Sequence, residues 1–256
     1  MTQNTHISVK LMPKLRLEGA LRKAGVEDPA TVTHLTIAGK ITDNDINYIR
    51  FSMTELRELD MSSTSGVNII FHECFYNFNL TSIIIPNSIK KIEFSAFGYC
   101  SNLTSFFIPI LVRKIDSMAF SGCENLTTFT VHHDNPVYSS ENGVLFNKDK
   151  TKLILFPPGI HGDYIIPDSV TEIGEWAFSF CKGLTSIIIP NSVKKIGYNA
   201  FIYTGLTSVN IPESVKIINN AFGNVFFTVD PNNPVYISEK GKLREIAKKQ
   251  LKRRKI

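Results

Sequence analysis

An eighteen-residue segment occurs twice in this chain, as LTSIIIPNSIKKIEFSAF at residues 80–97 and as LTSIIIPNSVKKIGYNAF at residues 184–201. Fourteen of the eighteen positions are identical, and a change such as Ile89 to Val193 keeps both size and polarity. A recurring unit of this kind indicates stacked repeats, because a single unit cannot bury its apolar face alone and needs its neighbours to complete the core.

Further copies follow a nearly constant period. They begin at residues 80, 103, 126, 161, 184 and 206, so that four of the five steps are 22 or 23 residues and one is 35. Most copies open with a pattern close to Leu-x-x-Ile-x-Ile, as in Leu80, Ile83 and Ile85. A period of about 20–29 residues with this pattern is typical of leucine-rich repeats. We therefore predict a mainly-β leucine-rich repeat solenoid with parallel strands on its concave face.

The alternation of side chains along a strand predicts which positions face the core. The fourth and sixth residues of a copy are expected to point inward and the fifth to point away. An Ala-Phe pair near the end of each copy is expected to form the opposite wall of the core. The pairs are Ala96-Phe97, Ala119-Phe120, Ala177-Phe178, Ala200-Phe201 and Ala221-Phe222, with Cys74-Phe75 as a degenerate member.

Repeats of the form L-T-S-I-x-I-P-x-S-V-x-x-I-G-x-x-A-F-x-x-C resemble the BspA-type leucine-rich repeats. Residues 184–204 match this pattern nearly throughout, and the resemblance extends over roughly residues 30–240. It implies a surface or secreted protein that binds other macromolecules.

The first 55 residues are expected to form an N-terminal cap, since a stack of repeats must cover its first apolar layer. Residues 14–25 predict a short helix with its leucines on one face. Asp43 or Asn44 is predicted to be the N-cap of a second helix that continues to about Met53, with a strand between the two helices.

The solenoid itself is predicted over residues 56–239. Its one long unit contains residues 135–157, which we interpret as a β-hairpin insertion with strands at Val144–Asn147 and Lys152–Phe156. The polar residues between these strands, Lys148–Thr151, are expected to form the turn.

The last segment of the chain, residues 240–256, is strongly basic. The net charge of the chain is +5, of which this tail supplies +8, so that residues 1–239 carry about −3. The body of the protein therefore gives no reason to expect nucleic-acid binding. Apolar residues from Leu243 to Leu251 fall at helical spacing. We interpret this tail as a solvated end or a truncated terminus, and an amphipathic helix that contacts anionic surfaces is the alternative.

Two observations give opposite predictions for the cellular compartment of this protein. Residues Met1–Arg16 lack the apolar segment of a secretory signal peptide, which favours an intracellular protein. The resemblance to BspA-type repeats favours a cell-surface or secreted protein, of which this chain would be a mature or truncated form.

The outward-facing fifth positions give the candidate binding surface on the concave side. Four of these seven residues are large and apolar, and the third positions beside them are polar, mostly serine. An exposed apolar row with a polar border is typical of an interaction site, although branched and aromatic residues also favour strands for their own sake. The seven residues are Asp60, Ile84, Phe107, Thr130, Ile165, Ile188 and Asn210.

Four cysteines fall at repeat positions. Cys100, Cys123 and Cys181 each lie three residues after the phenylalanine of an Ala-Phe pair, and Cys74 replaces the alanine of such a pair. We interpret all four as buried structural residues, because free cysteine is among the most buried residue types. A disulfide between Cys100 and Cys123 is the alternative.

The only adjacent histidines are His132 and His133, followed by Asp134. Neighbouring residues on a strand point to opposite faces, so that this pair is expected to be a poor metal ligand and simply part of a polar loop. The sequence also lacks the common hydrolase, nucleotide-binding and zinc-protease motifs. We predict neither a cofactor nor a metal.

These features predict a non-enzymatic protein-interaction module. The resemblance to BspA-type repeats implies adhesion to a host or matrix protein at a cell surface as its function. An intracellular leucine-rich repeat scaffold that uses the same surface is the main alternative. An enzyme is the second alternative, and it lacks a catalytic motif.

Overall fold

The computed structural model describes residues 5–13, 15–223, 225–229, 231–232, 236–239 and 242–245. The chain divides into two compact units, Met1–Gly143 and Val144–Ile256, which we call the N-terminal and the C-terminal unit. Each is a mainly-β solenoid whose repeats stack through parallel strands. The predicted fold class is therefore confirmed.

The N-terminal unit contains one long strand in each turn and shorter strands on a second side. The long strands are β1 (His6–Lys10), β2 (His34–Lys40), β3 (Glu58–Ser65), β5 (Ser82–Ile84), β7 (Ser105–Ile108) and β9 (Thr128–Val131). The short strands are β4 (Ile69–Ile70), β6 (Lys91–Ile92) and β8 (Lys114–Ile115), and β10 (Tyr138–Glu141) follows them. Strands β1, β2, β3 and β5 form one parallel sheet, β7 and β9 a second, and β4, β6 and β8 a third.

The predicted alternation of the long strands is observed. Ile83 and Ile85 are buried, whereas Ile84 between them is exposed. The same holds for Phe106 and Ile108, which are buried on either side of the exposed Phe107. Each strand therefore contributes side chains to the core and to one exposed surface, as its period of two requires.

A column of stacked phenylalanines forms the opposite wall of the core in the N-terminal unit. The rings of Phe75 and Phe97 lie 5.6 Å apart between centroids, and those of Phe97 and Phe120 lie 5.2 Å apart and nearly parallel. Phe97 is completely buried. The Ala-Phe pairs thus place one aromatic ring in each turn, and these rings bury a large apolar area.

Both predicted helices of the N-terminal cap are present, as α1 (Leu17–Lys23) and α2 (Asp43–Ser52). The start predicted for α2 was wrong by one residue: its N-cap is Thr42, not Asp43 or Asn44. The Asp45 carboxylate accepts the Thr42 backbone N–H at 2.9 Å and, through its other oxygen, the Leu17 N–H at 2.9 Å. One buried carboxylate therefore satisfies the first turns of both helices.

The C-terminal unit begins with the predicted hairpin, in which β11 (Val144–Asn147) pairs with β12 (Lys152–Leu155) in the antiparallel sense. The long strands that follow are β13 (Gly162–Ile165), β15 (Leu184–Ile188), β17 (Ser208–Ile211) and β19 (Phe226–Val229). The short strands are β14 (Glu172–Ile173), β16 (Lys195–Ile196) and β18 (Ile217–Ile218), and they extend from β12 as a parallel sheet.

The hydrophobic core of the C-terminal unit repeats the arrangement of the first. Phe178 and Phe201 stack at 5.1 Å, and Phe201 and Phe222 stack at 5.4 Å. Phe178 and Phe201 are completely buried.

The last described elements are β20 (Tyr236–Glu239) and β21 (Lys242–Glu245), which pair in the antiparallel sense. Leu243 therefore lies on a strand, and the alternative of a helix from Leu243 onward was wrong for residues 243–245. The rest of that predicted helix, residues 246–256, lies outside the described residues. Within the described part of the chain, neither α1 nor α2 is long or apolar enough to cross a bilayer.

Candidate functional site

The exposed side of the long strands, which we call the strand face, contains the predicted binding residues. In the N-terminal unit Asp60 is paired in register with Ile84 on β5, and Phe107 is paired with Thr130 on β9. Ile84 is 43% exposed and Phe107 is 41% exposed. Thr130 is exposed, whereas Asp60 is half-buried and accepts the Ser62 N–H at 2.8 Å.

The strand face of the C-terminal unit is more apolar than that of the N-terminal unit. Ile165 and Ile188 are paired on β13 and β15 and are 66% and 56% exposed. Asn210 is exposed and accepts a hydrogen bond from the Thr228 hydroxyl at 3.2 Å. The structure thus places each of the seven predicted residues on the outward side of its strand, and their role in binding stays a prediction.

A polar row borders these apolar side chains. Ser105 is paired with Thr128 in the N-terminal unit, and Asp163 is paired with Ser186 in the C-terminal unit. The Thr185 hydroxyl donates to the Asp163 carboxylate at 3.2 Å. Partial exposure of apolar atoms next to hydroxyls and a carboxylate is the composition expected of a transient protein interface.

One part of the strand face is concave and acidic. A cavity of about 210 Å³ lies over β1, β2, β3 and β5, and its lining includes His6, His34, Glu58, Asp60 and Ile84. We call it the acidic groove. It combines two carboxylates and two imidazoles with the exposed Ile84, and its lining contains neither Lys nor Arg.

The pairing of the strands determines which side chains of the acidic groove lie next to one another. His6, His34 and Glu58 occupy paired positions on three neighbouring strands. The two imidazoles stack at 5.8 Å, and His34 Nε2 lies 3.4 Å from a Glu58 oxygen. The other nitrogen of His34 forms a 2.8 Å hydrogen bond with the Thr33 hydroxyl, which fixes the ring.

The sequence did not identify the acidic groove. Its residues lie up to 78 positions apart, from His6 to Ile84, and β1 was not predicted because no repeat copy includes it. The alternation in His-Ile-Ser-Val-Lys at residues 6–10 was the signal that could have revealed this strand.

All four cysteines are buried and free. Cys100 Sγ donates to the Phe75 carbonyl at 3.0 Å, and Cys123 Sγ donates to the Phe97 carbonyl at 3.0 Å, so that each thiol bonds to the preceding turn. The alternative disulfide between Cys100 and Cys123 does not form. Burial raises the pKa of Cys100 to about 12 and raises the pKa of Cys123 well above its usual value. A protonated, inaccessible thiol is a poor nucleophile or metal ligand.

His132 and His133 lie in a polar turn, as predicted, but the expectation that their side chains point to opposite faces was wrong. Strand β9 ends at Val131, so that the two histidines lie beyond it and do not alternate between faces. Their rings stack at 4.5 Å, and His133 Nε2 lies 2.9 Å from the Asp134 carboxylate. The His132 ring also contacts Phe107 edge to face, at 6.4 Å between centroids.

Comparison with known sequences identifies the repeats. The BspA type leucine-rich repeat region matches residues 30–157 and 162–248, in six copies. These matches include most of the chain and agree with the repeats found in the sequence.

The chain belongs to the BspA-type leucine-rich repeat family.

Solved structures of leucine-rich repeat proteins are similar to this BspA-type chain. One from Eubacterium ventriosum is 24% identical, with a TM-score of 0.62, and the match covers 87% of this chain and 60% of that protein. A leucine rich cell surface protein from Faecalibacterium prausnitzii is 25% identical, with a TM-score of 0.48, and the match covers 77% of this chain and 56% of that protein. This chain thus spans less than two thirds of either protein. A comparison with curated proteins gives no match.

Membership of the BspA-type family defines the function at a coarse level. Leucine-rich repeats of this family generally form protein-interaction modules without enzymatic activity. The buried cysteines and the exposed strand face of this chain are consistent with that role.

Proposed function

We propose that this chain is a non-enzymatic adhesion protein that binds a host or matrix protein through its strand face. The observation that supports this proposal is the set of large apolar side chains that rigid strands hold in solvent, namely Ile84, Phe107, Ile165 and Ile188. Exposed apolar side chains on a preformed surface lose little conformational entropy on binding, and desolvating them favours association.

The acidic groove suggests the chemistry of the partner. Glu58 and Asp60 lie beside the apolar Ile84, so that a partner segment with a basic side chain next to an apolar one complements this part of the surface. Opposite charge increases the rate of association and favours one orientation of the partner. The groove thus selects among partners, while the apolar side chains supply most of the affinity.

Adhesion at a cell surface is the finer part of the proposal and rests on family membership. An extended solenoid presents a large, preformed surface to another macromolecule without chemistry. The same surface serves an intracellular scaffold equally well, so that the identity of the partner decides between these two functions.

The experiment is a binding titration of the purified chain against a panel of immobilised extracellular-matrix proteins at physiological salt. The test variant is Ile84→Ser/Phe107→Ser/Ile188→Ser. We expect the wild-type chain to bind at least one matrix protein and the variant to bind at least about tenfold more weakly. A tenfold loss corresponds to about 1.4 kcal/mol, which the three truncations together exceed if one of these side chains is central to the interface.

A matched control variant is Phe51→Ser/Ile69→Ser/Ile217→Ser. It removes one phenylalanine and two isoleucines, all of them exposed and none of them on the strand face. The control should keep wild-type affinity. Equal losses in the two variants would contradict the strand face as the binding surface, and a wild-type chain that binds no matrix protein would contradict adhesion.

A further inference from the structure

The turn that follows β9 brings three metal-binding side chains together. The ligand atoms of His132, His133 and Asp134 all lie within 4.8 Å of one another. His133 and Asp134 are 83% and 64% exposed, so that an ion can reach them. Among the described residues, no other group of three or more His, Cys, Asp or Glu side chains meets this condition.

A buried asparagine holds this turn in place. Asn135 is completely buried, and its side-chain amide donates to the carbonyls of Pro109 at 2.8 Å and Val112 at 3.1 Å. Its side-chain oxygen accepts the backbone N–H groups of Val137 and Tyr138 at 2.9 and 3.0 Å. These four hydrogen bonds fix the backbone directly after Asp134.

The start of the turn is fixed as well. The His132 N–H donates to the Ile108 carbonyl at 3.0 Å, which continues the pairing of β7 with β9, and the Asn135 N–H donates to the His132 carbonyl at 2.8 Å. The backbone that carries the three ligands is therefore anchored at both ends, and a site on a rigid backbone loses less entropy when it binds an ion.

We propose that His132, His133 and Asp134 bind a divalent transition-metal ion. An ion with bonds of about 2.0–2.2 Å to nitrogen and oxygen, at angles of roughly 90–110°, holds two ligand atoms about 2.9–3.5 Å apart. His133 Nε2 and the Asp134 oxygen already lie 2.9 Å apart. The ion takes the place of the proton between them.

The third ligand is His132. Its Nδ1 accepts a hydrogen bond of 3.2 Å from the Asp134 N–H, and its ligand atom lies within 4.8 Å of those of His133 and Asp134, so that binding of the ion requires the ring to turn. Two imidazoles and one carboxylate suit Zn²⁺, Ni²⁺ or Cu²⁺, whereas Mg²⁺ and Ca²⁺ require oxygen ligands. Three protein ligands leave further positions for water or for a side chain of another molecule.

The test is a calorimetric titration of the full chain, without any affinity tag, with ZnCl₂. We expect one ion per chain. His132→Ala/His133→Ala should abolish the measurable heat, and Asp134→Asn should weaken binding by about tenfold or more, since even indirect support of a metal ligand is worth that much. Circular dichroism checks that each variant keeps the wild-type fold.

The matched control is His6→Ala/His34→Ala, which removes the other stacked histidine pair of the N-terminal unit. This variant should bind Zn²⁺ with wild-type affinity and stoichiometry. With Ni²⁺, paramagnetic broadening should affect the backbone amides of residues 131–135 first. The proposal is overturned if Zn²⁺ at millimolar concentration gives no heat, or if binding is lost in the control and kept in His132→Ala/His133→Ala.

Discussion

The N-terminal and C-terminal units have closely similar cores. Phe97 lies 5.6 and 5.2 Å from its aromatic neighbours in one unit, and Phe201 lies 5.1 and 5.4 Å from its neighbours in the other. Both rings are completely buried and nearly parallel to the rings next to them. The two units therefore place the phenylalanines of their Ala-Phe pairs at nearly the same spacing.

The outward positions of the same strands differ between the units. The N-terminal unit has the aromatic Phe107 and the carboxylates of the acidic groove, whereas the C-terminal unit has Ile165 and Ile188, which are more exposed. A stack of repeats constrains its core residues and leaves the outward residues free to vary. The stability of this protein should thus be similar in its two units, while binding should differ.

The largest expected effect is the loss of stability when a stacked phenylalanine is removed from the core of either unit. Phe97→Ala and Phe201→Ala should each lower the free energy of unfolding by about 3–5 kcal/mol, because each leaves a cavity between two stacked rings. Urea denaturation followed by circular dichroism measures both variants, and the single tryptophan, Trp176, reports on the C-terminal unit by fluorescence.

The control for the cores is Phe51→Ala, since Phe51 is 71% exposed. It should change the free energy of unfolding by no more than about 0.5 kcal/mol. A cost for Phe97→Ala several times that of Phe201→Ala would show that the two cores are not equivalent.

The next effect concerns binding by the two strand faces. Ile84→Ser/Phe107→Ser should weaken the binding of a matrix partner by about tenfold or more. Ile165→Ser/Ile188→Ser should weaken it less, because Ile84 lines the acidic groove and neither Ile165 nor Ile188 does. Titration of both variants against the same immobilised partner measures the difference. A greater loss in the second variant would place the main contact in the C-terminal unit.

A smaller effect should follow from the charges of the acidic groove. Glu58→Gln/Asp60→Asn should reduce affinity for the partner several-fold at low salt and leave little difference at about 1 M salt, where the screening length falls to roughly 3 Å. Asp163→Asn, on the strand face of the C-terminal unit, is the control and should have no such salt dependence. The proposed basic group of the partner is refuted if the double variant binds as tightly as the wild type at low salt.

The smallest effect concerns two carboxylates on the short strands. Hydrogen bonds from Lys91 and the His72 N–H lower the pKa of Glu93. Burial raises the pKa of Glu172, but hydrogen bonds from Lys152 and Lys195 outweigh it and lower this pKa overall. A lowered folded-state pKa stabilises the fold above the unfolded value of about 4.3, and this contribution is lost as the pH falls through the folded-state pKa.

The variants Glu93→Gln and Glu172→Gln should therefore be less stable than the wild type at pH 7, each by no more than about 1 kcal/mol. At pH 2.5 the difference should become smaller. Melting temperatures between pH 2.5 and pH 7 measure it, and a difference that does not change with pH would contradict the ion-pair interpretation.

Much of the fold could be predicted because most of its strands and helices depend on a sequence pattern within one short segment. The period of 22 or 23 residues and the alternation around Ile84 and Phe107 are sufficient to identify the strands, their inward residues and the exposed row. The helices α1 and α2 and the hairpin of β11 with β12 follow from patterns within about 15 residues. These features depend on the short-range geometry of the backbone.

The wrong or missing predictions concern the ends of strands and helices and the contacts between distant segments of the chain. His132 and His133 were assigned to opposite faces because alternation was applied beyond the last strand residue. The cap of α2 was missed because Asp45, and not Asp43, receives the hydrogen bonds of Thr42. The acidic groove depends on which residues of β1, β2 and β3 become neighbours, and a single sequence does not show this pairing.

The proposed function requires that the strand face contacts the partner directly. The most direct measurement is photo-crosslinking with benzoylphenylalanine in place of Phe107, compared with the same substitution at Phe51, in the presence of a bound matrix protein. If the strand face contacts the partner, position 107 should give a crosslinked product and position 51 should give none. A product from position 51 alone would contradict direct contact through the strand face.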